Sequence, residues 1–281
     1  MSMLSLILAV ALAFSAGLGG ASLPVTDETS APAAETLIAG TAETVTDTDE
    51  PAFRYEGPGF DTPEAAITCY LEGLKNLDFE QMLSAFAWET QISHYDFNAY
   101  YDRIKAYMPS AKPRMPSVND FMLSANLHEL RSAQIDAIYR SLEVYILSDD
   151  YPNGKTIALK EDGEADAFLQ KFDNGRLEKL TAMTNIRFVS PDTVTNNKFS
   201  MERNQQNFVR QSAHYGADEV VNIVALASVG DETLYCCPTV ARYGGRWYLV
   251  SVSSFTSMIL GVSVDYQAFA CGKGLLSDII Q

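Results

Sequence analysis

The sequence predicts an α+β fold in which an antiparallel sheet packs on amino-terminal helices, with extra helices inserted between them. Three observations predict it. Val220 to Ser228, Glu232 to Ala241 and Arg246 to Ser253 read as three strands joined at Gly230-Asp231 and Gly244-Gly245. Such Gly-first and Gly-Gly pairs supply the positive φ that two-residue hairpin loops require. Near the start of the ordered part, Ile67, Tyr70, Leu71 and Leu74 recur at helical spacing. Between these two regions lie several more helical patterns and no internal repeat.

The first 21 residues read as a leader. Leu4 to Phe14 is apolar apart from Ser5, and Ser15, Gly17, Gly19, Gly20 and Ala21 follow. An apolar run of this length with a small-residue exit is the pattern of a secretory signal, with cleavage expected after Ala21. No Lys or Arg precedes the run, so the competing reading is an uncleaved anchor, for which the stretch is short. Residues 22–57 are rich in Thr, Ala, Glu, Asp and Pro and are expected to form a disordered acidic linker, because they hold too little apolar surface to offset ordering. Nine acids and one base (Arg54) between Ser22 and Asp61 carry half of the net charge of -16. That charge argues against nucleic-acid partners and against binding to anionic membranes.

Residues 58–281 are expected to form the folded domain, the apolar content of 47% being enough for a core. Thr62 is placed to cap a helix with Pro63 at its first position, where the missing N–H costs nothing. Asn76-Leu77-Asp78 breaks that helix, and Asp78 with Gln81 at capping spacing restarts a second one bearing Met82, Leu83, Phe86 and Ala87. His94 to Met108 reads as a helix with Phe97, Tyr100, Tyr101, Ile104 and Tyr107 toward a core. Pro109, Pro113 and Pro116 mark a loop, and a long helix follows from Val118 through Ile146. Pro152-Asn153-Gly154 predicts a turn, Thr156 to Leu159 a short strand, Glu164 to Phe172 a helix and Asp173-Asn174-Gly175 another turn. Asn185 to Val189 reads as a strand and Phe199 to Ala213 as a helix. In the second strand of the meander, Leu234, Cys236, Pro238 and Val240 share one face, and Pro238 implies an edge or a bulge. The tail from Met258 to Ile280 has the apolar residues to cover one sheet face.

The run from Thr62 to Phe86 resembles the opening helix pair of NTF2-like domains. Tyr243-Gly244-Gly245-Arg246-Trp247-Tyr248-Leu249-Val250-Ser251 is similar to their terminal hairpin. The resemblance implies an α+β cone, a strongly curved antiparallel sheet wrapped on helices, here elaborated by inserted helices. It implies little about chemistry, because the fold hosts isomerases, dehydratases, carriers and interaction modules.

Motifs that carry chemistry are absent. There is no G-x-S-x-G, no β-lactamase signature set and no glycine-rich phosphate loop. The four cysteines, Cys69, Cys236, Cys237 and Cys271, form no C-x-x-C pair and read as small buried residues, though an even count in an exported chain permits disulfides. His94, His128 and His214 lie far apart, so no metal site is expected and each reads as a solvent-exposed or locally bonded histidine. Ser93-His94-Tyr95-Asp96 gathers polar groups and equally reads as a helix start. Among the 14 tyrosines and two tryptophans, the residues placed to line a pocket are Tyr70, Trp88, Tyr235, Tyr243 and Tyr248, with core packing as the alternative.

These features together predict an exported, non-catalytic ligand-binding or protein-interaction module at the cell envelope. Its partner is an unknown small molecule or envelope protein, with no cofactor, no nucleic acid and membrane contact only through an uncleaved leader. The alternative is a small-molecule isomerase or dehydratase-type enzyme with acid–base residues in the cone pocket. A third reading is a spacer domain in a larger surface assembly.

Overall fold

Helix α1 (Pro63–Asn76) begins as the sequence dictates: the Thr62 hydroxyl accepts from Ala65 N, and the helix stops where Leu77 turns left-handed at φ 56°. Asp78 then caps α2 (Phe79–Ser84) by accepting from Gln81 N at 2.9 Å. The computed structural model describes residues 55–105, 113–147, 150, 156–189, 201–252 and 270–271. The chain divides into two units, Met1–Asp49 and Glu50–Gln281, and all described residues belong to the second. The expected leader, most of the expected linker and most of the carboxyl-terminal tail lie outside them.

After α2 come α3 (Glu89–His94), α4 (Phe97–Ile104), the long α5 (Asp120–Leu147) and α6 (Glu164–Thr181). Strand β1 (Met183–Val189), helix α7 (Glu202–Tyr215) and six further strands complete the order: β2 (Glu219–Asn222), β3 (Val224–Val229), β4 (Glu232–Cys236), β5 (Thr239–Tyr243), β6 (Arg246–Ser251) and β7 (Ala270–Cys271). The fold is α+β with antiparallel sheets, as expected, but the strands differ from the sequence reading. The expected first and second strands of the meander each break in the middle, at Ile223 and at Cys237-Pro238. Their halves pair as β2 with β5 and β3 with β4, so one long hairpin bends and serves two sheets. The sheet orders are β1-β3-β4-β7 and β2-β5-β6. Pro238 sits at the bend because it has no ladder donor to lose there.

Both glycine turns form as predicted, with positive φ at Gly230, Gly244 and Gly245. The main core lies between α1 and these strands. Ile67, Tyr70, Leu71 and Leu74 pack with Trp247 and Leu249 of β6 and with Leu234, Cys236 and Val240. Tyr248 and Val250 point the other way and join Ala87, Ala241 and Tyr243 in a smaller cluster. The two faces of β6 thus bury separate groups, as the period-two alternation requires.

Three local expectations are corrected. The helix expected over His94 to Met108 begins later: His94 ends α3, Asp96 caps a new start by accepting from Ala99 N, and α4 runs Phe97–Ile104, with 106–108 outside the described residues. Thr156 to Leu159 is exposed and makes no strand. The turn expected at Asp173-Asn174-Gly175 is helical and lies within α6. Gly175 serves there as a contact surface: a Cβ at that position would collide with Ile146 Cγ2 of α5.

A candidate ligand pocket at the end of β6

Strand β6 ends beside a group of polar and aromatic side chains drawn from several separate segments. Helix α3 contributes Gln91, the α3–α4 junction Tyr95, and α4 contributes Tyr100. The loop before α5 contributes Arg114; α5 adds Leu130 and Gln134; the end of α7 adds His214 and Tyr215. With Val250 and Ser251 they line an open pocket of about 190 Å³. No Asp or Glu is among the lining residues.

Each wall is fixed by ordinary local bonds. The Gln91 amide, oriented to donate through its nitrogen, reaches the Val250 and Ala87 carbonyls at 3.3 Å each. Gln134 Oε1 accepts from Val252 N at 3.0 Å, tying α5 to the end of β6. The His214 carbonyl accepts from Asp96 N, and the close approach of Gly216 to the His94 carbonyl seals the same junction. Arg114 follows Pro113, and the next carbonyl, that of Met115, accepts from the buried Asn126 amide of α5 at 2.8 Å. Asn126 also donates to Ser117 Oγ, so one α5 side chain holds the whole turn.

The electrostatics of the pocket are one-sided. Four arginines among the described residues carry a buried Nε without a hydrogen-bond partner: Arg114, Arg131, Arg176 and Arg242. The last three hold Glu89, Asp173 and Glu219 through Nη2. Arg114 holds no acid among the described residues; its guanidinium lies 5.5 Å from the Tyr95 ring centre. Burial lowers its pKa, with Glu129 the main opposing influence, yet Glu129 is exposed and makes no ion pair with it. The Tyr95 hydroxyl is likewise buried with no partner of good geometry, although it lies close to the Arg114 backbone amide. Burial pushes its pKa up to about 12, so it stays a neutral donor.

His214 is buried, and desolvation first, then Arg103, lower its pKa to about 4. The ring is therefore neutral near pH 7. Arg103 Nη1 lies 3.4 Å from His214 Nδ1, and a guanidinium can only donate. This favours a lone pair at Nδ1 and the proton at Nε2, over donation to the Arg210 carbonyl at 3.5 Å. Arg103 has the Asn207 amide oxygen as its other neighbour at 3.0 Å. Two guanidiniums thus flank a neutral imidazole, with no carboxylate bound to either among the described residues.

None of the five aromatic residues placed by sequence at a pocket lines this one. Tyr70 is fully buried edge-on to Phe86. Trp88 stacks on Phe86 at 4.8 Å and donates Nε1–H to the Leu83 carbonyl. Tyr235 is buried in β4, and Tyr248 lies in the smaller cluster against Gly59. Tyr243 comes nearest: its hydroxyl donates to the Tyr215 carbonyl at 3.1 Å, one layer behind the pocket wall. The space between α1 and β6 is filled by apolar packing. The sequence signal for this pocket was thin. It consisted of one arginine between Pro113 and Pro116, one tyrosine in Ser93-His94-Tyr95-Asp96 and a histidine set aside as isolated. Among the described residues no group of His, Cys, Asp and Glu could hold a metal ion. No described helix is long and apolar enough to cross a membrane.

No protein-family model and no curated protein matches the chain. Among solved structures, the chain is similar to one described as a cystatin-like protein from Ruminococcus gnavus, at 14% identity and a TM-score of 0.43. That match covers 75% of this chain and 44% of the other, so the chain spans less than half of that protein's length.

Proposed function

We propose that this chain is a non-catalytic binding module, exported behind its leader and acidic linker, whose domain is an elaborated NTF2-like cone and whose pocket at the end of β6 takes a small ligand. One observation carries the reading: Arg114 Nε and the Tyr95 hydroxyl, both buried and unpartnered, belong to residues lining an open pocket. Buried donors left unsatisfied cost about 1–3 kcal/mol each, and a ligand acceptor recovers that cost. The volume is below the ~300–1,000 Å³ of pockets for drug-sized molecules, so the ligand is of metabolite size. The isomerase- or dehydratase-type alternative takes its base from an Asp or Glu facing the cavity, and neither is among the described residues that line this one.

Ligand-observed NMR with a library of small polar fragments tests the proposal on the full exported chain and on Arg114→Gln. Binding by the parent that the variant loses supports it. A library without hits, or hits that bind both proteins equally, overturns it.

A further inference from the structure

Building on that reading of the pocket, we infer that its ligand is a small carboxylic acid with an apolar body, its carboxylate seated on Arg114 and its body against the tyrosines. The argument starts from what Arg114 lacks. Every other described arginine with an unpartnered buried Nε already holds a carboxylate through Nη2. Arg114 has the same fork and, among the described residues, no acid on it, in a chain whose acids outnumber its bases by 16. A planar guanidinium presents parallel donors that match a carboxylate two-on-two, and a side-on approach uses Nε–H.

The surrounding groups select among anions. Tyr95 is a neutral hydroxyl whose ring lies beside the Arg114 guanidinium. His214 is a neutral imidazole and adds no charge at pH 7. Arg103 is spent on Asn207 and His214 rather than lining the pocket. A single lining cation suits one negative charge. A phosphate dianion would call for more cations, or for a set of backbone N–H donors such as a long helix start provides. The apolar parts of the pocket wall are Leu130, Val250 and the faces of Tyr95, Tyr100 and Tyr215, which fit an aliphatic or aromatic body.

The experiment is isothermal titration of the full chain at pH 7 with benzoate, benzamide, phenyl phosphate and inorganic phosphate. A dipeptide with free and amidated carboxyl ends forms a second arm. Benzoate is expected to bind, with benzamide weaker by about 10- to 100-fold, the worth of a charge-assisted hydrogen bond. Arg114→Lys is expected to keep only a fraction of the affinity, because an ammonium holds the charge without the fork. A free-ended dipeptide that outcompetes benzoate while its amide fails supports the same fork and assigns the carboxylate to a peptide end. Equal binding of benzamide and benzoate, or tighter binding of either phosphate, overturns the carboxylate inference and leaves the pocket reading standing. Failure of every compound here, with fragment hits at Arg114 still present by NMR, likewise overturns only the carboxylate. Silence in both experiments overturns both.

Discussion

Asn126 Nδ2 donates to the Met115 carbonyl at 2.8 Å, and this bond sets where Arg114 stands. Asn126 is buried on α5, Met115 is exposed, and the second Nδ2 bond reaches Ser117. Asn126→Ala removes both bonds without touching a residue that lines the pocket. The expected loss is about 1–2 kcal/mol of stability, moderated because the freed carbonyl lies near solvent. Benzoate affinity should fall by more than the stability loss explains, since the guanidinium is released from its position. Chemical denaturation and calorimetric titration of the same variant measure the two effects separately.

Gly175 and Ile146 fix the crossing of α6 on α5. An added Cβ would collide with Ile146 Cγ2, on a β-branched side chain with little room to turn. Gly175→Ala should destabilise by about 1–3 kcal/mol, even though alanine is the better helix former. The double variant Gly175→Ala, Ile146→Ala should be less destabilised than the sum of the two single changes. Additive losses in a double-mutant cycle would mean that the contact is not what requires glycine.

The thiols divide by environment. Cys236 is fully buried in the main core, and burial pushes its thiol pKa far up. Cys237 points away from that core and is also buried. Cys69 is half-buried and donates to the Gln81 carbonyl at 3.4 Å, with burial raising its pKa more modestly. Since the thiolate is the nucleophile, iodoacetamide at mildly alkaline pH should label Cys69 slowly and leave Cys236 and Cys237 unlabelled until the protein unfolds. Peptide mass spectrometry of the native and denatured protein reads this directly.

What was legible in the sequence was local. Thr62-Pro63, Leu77-Asp78 and the glycine turns each need only neighbouring residues to decide them, and each is found where the chain places it. Alternation put Leu234, Cys236 and Val240 on one face, and all three lie in the main core. It carried no information on which sheet a strand joins, so the bends at Ile223 and Pro238 went unseen as bends. Gly175 misled for a related reason: Asp-Asn-Gly is a good local turn, and only the approach of α5 makes the glycine a helical contact. The pocket was least legible because its walls come from several segments distant in sequence. Nothing local marks Arg114 off from the chain's other cations; its place on the pocket wall is decided by distant segments. The five aromatic residues chosen from sequence are large enough to pack, and all five are buried.

Acid should weaken the fold through His214. The groups facing its ring are Arg103, Tyr95, Tyr100 and Tyr215, with Arg114 acting from across the pocket and the Arg210 carbonyl on its own helix. No carboxylate stands among them. The folded pKa is lowered to about 4 from an ordinary 6.5, so between those values the unfolded chain holds a proton that the folded chain refuses. The unfolded state binds more protons in this window, and stability therefore falls as pH drops from about 6.5 toward 4. The size of the loss is roughly 2–3 kcal/mol. Glu56 acts with the opposite sign, because burial raises its pKa and its neutral form is favoured in the fold. Glu56→Gln therefore gives the cleaner background. In that background, urea unfolding at about pH 7, about 5.5 and about 4.5 should show a progressive loss, and adding His214→Gln should flatten it. A profile that stays equally steep without the imidazole would assign the acid sensitivity to other groups and leave His214 as an ordinary wall of the pocket.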